Sequence, residues 1–141
     1  MIKKILLPTD GSEHAEKTVQ YAIDLAKSLG ASVDVMYAYQ SVSLLRKRAA
    51  AMMEEYKQIM EEDAREIVGE VAARLKAEGI KVTAVVVEGA AADAILRAAE
   101  DSKPDVIVMG SRGEGGFANM LLGGVAEHVI HYSKVPVLIV K

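Results

Sequence analysis

The feature that most constrains this chain is a change of hydrophobic period repeated along its whole length. Short apolar runs rich in β-branched residues occur at Ile2–Pro8, Ser32–Tyr39, Lys81–Gly89, Pro104–Ser111 and Val135–Lys141. They read as buried strands, because a strand covered on both faces carries a nearly continuous apolar pattern. Between them, apolar residues recur at spacings of three and four. Ala15, Val19, Ala22, Ile23, Ala26 and Leu29 form one stripe, closed by Gly30. Tyr56, Met60, Ala64, Ile67, Val71 and Leu75 form a longer one, closed by Gly79. Further helices are expected over about Ala91–Glu100 and Gly123–Tyr132. Strand and helix in alternation impose parallel pairing with right-handed crossovers. The expected fold class is therefore α/β, an open five-stranded parallel sheet with helices on both faces, Rossmann-like.

Composition narrows the classes of function. A chain of 141 residues, 51% hydrophobic, suits one domain over 1–141 with a real core. The absence of cysteine removes disulfides, thiolate zinc sites and cysteine nucleophiles, and fits a cytoplasmic setting. The start, "MIKKILLPTDG", holds an apolar run too short for a signal core or a membrane span, so no membrane partner is expected. A net charge of -3, with five tyrosines, one phenylalanine and no tryptophan, offers neither a basic footprint nor a stacking platform for nucleic acid. The segment Gln40–Met53, with Leu44, Leu45 and the basic run Arg46, Lys47, Arg48, reads either as a frayed helix start with a solvated face or as a lid.

Six of the eleven glycines crowd into Gly110–Gly124. Ligands of open α/β sheets bind beyond the carboxyl ends of the strands, where strand order reverses. Two orders are open: 2-1-3-4-5, reversing between strands one and three, and 3-2-1-4-5, reversing between one and four. Glycines that let a ligand touch backbone follow strand four, whereas strand three ends in "EGAA", so the second order is preferred. It brings "PTDG" (Pro8–Gly11) beside the glycine loop. There Gly110 and Gly113 clear the turn, while Gly123 and Gly124 bare the amides opening the last helix, an arrangement suited to a phosphate. Asp10 can accept from ribose hydroxyls or an adenine amine, or help hold hydrated Mg²⁺. Phosphate at one end and a polar acceptor at the other point to a nucleotide.

These residues also match a known pattern. Gly110-x-x-Gly113, nine residues, then Gly123, Gly124 and Val125, ending in "KVPVLIVK", resembles the nucleotide-binding signature of the universal stress protein family, in its ATP-binding branch. The opening "KKILLPTDGSEHAEKTVQYAIDLAKSLGASVDVMYAY" is similar to that family's amino-terminal half. The resemblance implies the 3-2-1-4-5 sheet, homodimers, and bound ATP in one branch. Carried over by position, it puts adenine near Thr9, Asp10 and Ala38. Ribose falls by Gly110 and the loop from Arg112 to Gly113, the phosphates fall on Gly123, Gly124 and Val125, and Pro8 and Met109 are counted among the binding residues. One departure matters: where the family has serine or threonine after the third glycine, this chain has Gly124, losing a hydroxyl worth on the order of 1 kcal/mol. AMP or ADP, leaning less on the terminal phosphates, are then credible ligands beside ATP.

Several of these residues have plainer explanations. Asp10 with Glu13 three residues later forms a capping box for the first helix. Gly115 and Gly116 serve as loop punctuation, and the loop Ser111–Leu122 is long enough to order on binding. His128 and His131 share a helix face without an evident third ligand, so they read as surface residues rather than metal ligands, as does His14. Arg112 reads equally as a phosphate contact or a solvated cation.

Catalytic signatures are absent. There is no G-x-x-x-x-G-K-[ST] loop, no G-x-S-x-G elbow, and no acidic pair at the end of strand one. The first functional expectation is an adenine-nucleotide-binding stress-response or signalling module. The alternatives are a slow Mg-dependent ATP hydrolase and, because of Gly124, a dimeric scaffold that binds nothing. The apolar last strand, Val135–Val140, lies at the sheet edge in either order and is expected to pair with a second copy in a homodimer.

Overall fold

A computed structural model describes residues 1–40, 50–113 and 122–141. The elements run β1 (Lys4–Pro8), α1 (Glu13–Leu29), β2 (Ser32–Tyr39), α2 (Ala50–Ala77), β3 (Val82–Glu88), α3 (Ala91–Ser102), β4 (Val106–Gly110), α4 (Gly124–Tyr132) and β5 (Val137–Val140). The sheet is parallel throughout, in the order β3-β2-β1-β4-β5. The α/β expectation and the preferred strand order therefore hold.

Strand β1 is the hub. Its register sets Leu7 against Val35 of β2 and Leu6 against Ile107 of β4. Ile5 and Leu7 point into one core with Val19, Ile23, Val33, Val68 and Leu75, under α1 and α2. Leu6 points the other way, into a core with Met36, Ile95, Ile107 and Val129 under α3 and α4. Successive side chains of a strand face opposite sides, so one uninterrupted apolar run feeds both layers.

The edges depart from a uniformly buried reading. Thr83, Ala84 and Val85 of β3 are exposed, because α2 packs over β3 while α3 lies over β2. Leu138 of β5 is also exposed. The α2 stripe is shifted from the expected one: Ala64, Val68, Ala72 and Leu75 are buried, whereas Tyr56 is exposed. The cause is length. At 28 residues α2 runs about 42 Å, well beyond the sheet it covers, so its first turns reach past the strands. Of the Gln40–Met53 segment, residues 50–53 belong to α2, and Leu44, Leu45 and Arg46–Arg48 lie outside the described residues.

Gly30 ends α1 in the left-handed region, as its position predicts, with φ 66°. The Asp10–Glu13 capping box does not form. Ser12 is the N-cap of α1, with no side-chain cap bond, and Asp10 Oδ1 instead accepts from the Ser12 N–H at 2.9 Å.

One tether joins distant parts of the chain at the opposite end of the sheet. Asp105, just before β4, accepts from the backbone N–H groups of Lys3 and Lys4 at 2.7 and 2.9 Å. These two bonds hold its carboxyl below the ordinary carboxylate range. A depressed value stabilises the fold above the unfolded carboxylate range, and that stability is lost as pH falls through the folded value. Asp105→Ala should therefore lower the melting temperature at neutral pH, with the gap to wild type closing in acid; thermal melts across pH check this.

Candidate functional site

The reversal of strand order between β1 and β4 opens a crevice at their carboxyl ends, with α1 leaving on one face and α3 and α4 flanking the other. Its walls are fixed by backbone bonds. The Thr9 N–H donates to Met36 O at 2.8 Å, tying the end of β1 to β2. The Ser111 N–H donates to Val140 O at 2.9 Å, tying the end of β4 to β5. The Gly123 N–H then donates to Ser111 O, which draws the start of α4 back onto the end of β4.

The glycines are explained by what these closures leave no room for. A Cβ on Gly113 would stand 2.8 Å from Asp10 Oδ2, one on Gly110 would stand 3.2 Å from Thr18 Oγ1, and one on Gly123 would stand 3.2 Å from Ser111 O. These three positions lack side chains because the carboxylate, a helix hydroxyl and a carbonyl already occupy the space. Gly124 differs, since a Cβ there meets nothing within 4 Å among the described residues. At the turn into α1, Gly11 has φ 73°, and a Cβ there would come within 3.1 Å of Ile67 Cγ2, so both conformation and packing ask for glycine. Gly115 and Gly116, and most of the Ser111–Leu122 loop, lie outside the described residues.

The crevice encloses about 300 Å³. It is chemically graded. One end, between β2 and α3, is apolar: Met36, Ala38, Ala91 and Ile95 line it, with Pro8 and Met109 alongside. The middle carries Thr9, Asp10, Thr18 and Gly110. The far end is backbone, formed by Gly113 and by Gly123, Gly124, Val125 and Ala126 at the start of α4. Gly123 is the N-cap there, with extended φ −76° and ψ 163°, and no side chain of the described residues caps the helix. The amides of the first turn are thus the orphan donors of a helix start, at the positive end of its dipole.

All eleven residues singled out from the sequence line this one cavity: Pro8, Thr9, Asp10, Ala38, Met109, Gly110, Arg112, Gly113, Gly123, Gly124 and Val125. The sequence reading missed Ala15, Thr18, Met36, Ala91, Ile95, Ser111 and Ala126. Ala15 and Thr18 are three apart on α1 and so share a face, a signal that was available, but only the crossing of α1 behind β4 turns that face toward the crevice. His14 lies outside this cavity. His128 does find a carboxylate, with Nε2 at 3.6 Å from Asp93 Oδ1 of α3, yet both side chains are exposed. Among the described residues, no three His, Asp or Glu side chains gather as a metal site. No helix among them is long and apolar enough to cross a membrane.

Thr18 stands out energetically. It is 2% exposed, and its Oγ1 has no hydrogen-bond partner among the described residues. A buried hydroxyl without a partner costs on the order of 1 kcal/mol or more. Thr18→Val, nearly isosteric, should therefore raise stability by about 1 kcal/mol, read as a higher urea midpoint at constant m; a fall would mean that the hydroxyl is engaged.

The whole chain, residues 1–141, matches the model of the universal stress protein family. Universal stress protein MJ0531 of Methanocaldococcus jannaschii is 35% identical over 141 residues, covering 100% of this chain and 83% of that relative. Among solved structures, hypothetical protein MJ0577 superposes with a TM-score of 0.89 at 34% identity, covering 100% of this chain and 96% of the other. A universal stress protein crystallised in complex with cAMP superposes with a TM-score of 0.71 at 28% identity, covering 99% and 96%.

Proposed function

This chain belongs to the universal stress protein family, and from that membership we propose that its crevice is an adenine-nucleotide site serving a stress-response or signalling module. The observation that carries the proposal is the grading of one cavity, apolar at the β2–α3 end and lined by uncapped helix amides at the α4 end. A purine suits the first and phosphates suit the second. The cAMP complex of a relative supports an adenine ligand. In this reading Thr9, Asp10 and Ala38 lie by the base and Gly110, Arg112 and Gly113 by the sugar. Gly123, Gly124 and Val125 cradle the phosphates, with Pro8 and Met109 completing the walls. A cytoplasmic protein, as its lack of cysteine suggests, belongs to the same reading.

ATP is the proposed ligand, with AMP and ADP as further occupants. Asp10 is the one carboxylate lining the cavity among the described residues, and its Oδ1 already accepts from Ser12. A single carboxylate suits Mg²⁺ that arrives bound to nucleotide phosphates and keeps most of its waters. Binding rather than turnover is the proposed output, since no lining side chain besides Asp10 is a carboxylate or histidine that would activate water.

The test begins with denaturing purified protein and identifying any released small molecule. The emptied protein is then titrated calorimetrically with ATP, ADP and AMP, with and without Mg²⁺. Micromolar or tighter ATP binding is expected. Gly113→Val should abolish it, because even a Cβ there collides with Asp10. Gly124→Ser should strengthen it a few-fold to about tenfold, since the site has room for the side chain and gains a hydroxyl beside the phosphates. No release and no heat would favour a scaffold; turnover abolished by Asp10→Ala would favour a hydrolase.

The homodimer belongs to the same proposal. Strand β5 is the outer strand, and Leu138 is 41% exposed on it. An apolar edge left open invites aggregation, and antiparallel pairing of Val135–Val140 with a second copy would close it. Leu138→Lys should give a monomer or an insoluble protein, and an unchanged dimer by light scattering would refute the edge model.

A further inference from the structure

Buried side-chain hydroxyls without a hydrogen-bond partner among the described residues occur at Ser12, Thr18 and Ser102. Of these, Thr18 alone lines the nucleotide cavity, in its middle stretch with Thr9, Asp10 and Gly110. We propose that the Thr18 hydroxyl is a sugar-recognition group, one that hydrogen-bonds a ribose hydroxyl and so favours ribonucleotides over their deoxy counterparts. This inference rests on the nucleotide reading, in which purine and phosphates take the two ends of the cavity and the sugar lies between them.

The polar groups of that middle stretch are unequally committed. Thr9 Oγ1 accepts from the Gly11 N–H at 3.3 Å, and Asp10 Oδ1 accepts from the Ser12 N–H at 2.9 Å. A carboxylate only accepts, whereas a threonine hydroxyl both donates and accepts. Ribose carries a pair of hydroxyls with the same double capacity, so one can donate to Asp10 while the other accepts from Thr18. A buried hydroxyl without a partner is destabilising, and a ligand that supplies the partner recovers that loss on binding. The surroundings suit this role. Ala15, three residues earlier on the same face of α1, is small and leaves the cavity open beside Thr18. Gly110 faces Thr18 from β4 without a side chain, and a Cβ there would stand 3.2 Å from Oγ1. Threonine on a helix divides between two rotamers, so Oγ1 can turn toward a bound sugar at little cost. With Thr18 2% exposed, the bond forms in a low-dielectric setting, where it is stronger than in water.

Emptied full-length protein is titrated calorimetrically with ATP and with its 2′-deoxy and 3′-deoxy analogues. Wild type should bind ATP about five- to tenfold more tightly than the analogue that lacks the contacted hydroxyl. Thr18→Val should weaken ATP by about the same factor while changing that analogue by less than about twofold. Thr18→Ser, which keeps a hydroxyl, should retain most of the wild-type preference. Thr18→Ala takes the place of Thr18→Val if circular dichroism shows the latter unfolded. Equal affinity of wild type for all the nucleotides overturns this inference and leaves the nucleotide reading intact, as does an ATP affinity unchanged in Thr18→Val. Losses in Thr18→Val that are the same for ATP and both analogues also overturn it, since they assign the hydroxyl a structural role. Wild type that binds none of them overturns the nucleotide reading itself, and this inference with it.

Discussion

Burial of β1 on both faces and bonding on both edges is the constraint on which the rest of the structure depends. Ile5, Leu6 and Leu7 are each at most 1% exposed. Each contributes about 1.5–3 kcal/mol by leaving water. Because successive residues of a strand alternate sides, the three cannot be buried unless helices cover both faces. With β2 on one edge and β4 on the other, the chain must run outward from β1 to β3 and then return to place β4 beside β1. That return separates the strand ends and makes the crevice, so the cavity follows from satisfying the central strand.

The crevice is then shaped by close approach. Two backbone bonds, Ser111 N–H to Val140 O and Gly123 N–H to Ser111 O, pull β4, β5 and the head of α4 together. With the head of α4 drawn in, Asp10 Oδ2 stands against Gly113 and Ser111 O against Gly123, so that a Cβ at either glycine would be crowded. The glycine cluster is therefore a packing requirement of the walls as well as a means of baring amides. Those two roles reinforce each other, because a tightly drawn, side-chain-free wall is what lets a ligand reach the backbone. Gly124 obeys neither the packing need nor the family pattern, and it is where this chain has room to differ.

The same wall separates two electrostatic environments. Toward α4 it offers a helix start across from an apolar end; toward α1 it meets a cleft lined by His14, Lys17 and Lys141. A short stretch, Gly110–Arg112, thus faces two cavities of different character.

The sequence by itself determined the parallel α/β class, the strand order and the glycines and Asp10 of the crevice, because continuous apolar strands, helix-period stripes and glycine spacing are local signals, while residues such as Ala38 and Val125 followed from the family resemblance. Its misreadings came where neighbours decide. The stripe on α2 was misplaced because only the finite width of the sheet says which turns are covered, leaving Tyr56 outside and burying Val68. The β3 run reads as fully buried, yet its place at the edge, uncovered by α3, exposes Val85. Asp10 was set to cap α1, but the path of the turn gave that position to Ser12. Thr18 and Ala15 joined the crevice only through the crossing of α1 behind β4, and His14 and Lys17 gained Arg112 and Lys141 as neighbours by the same crossing. Contacts between residues about a hundred positions apart are fixed by how layers stack, and no local pattern encodes that stacking.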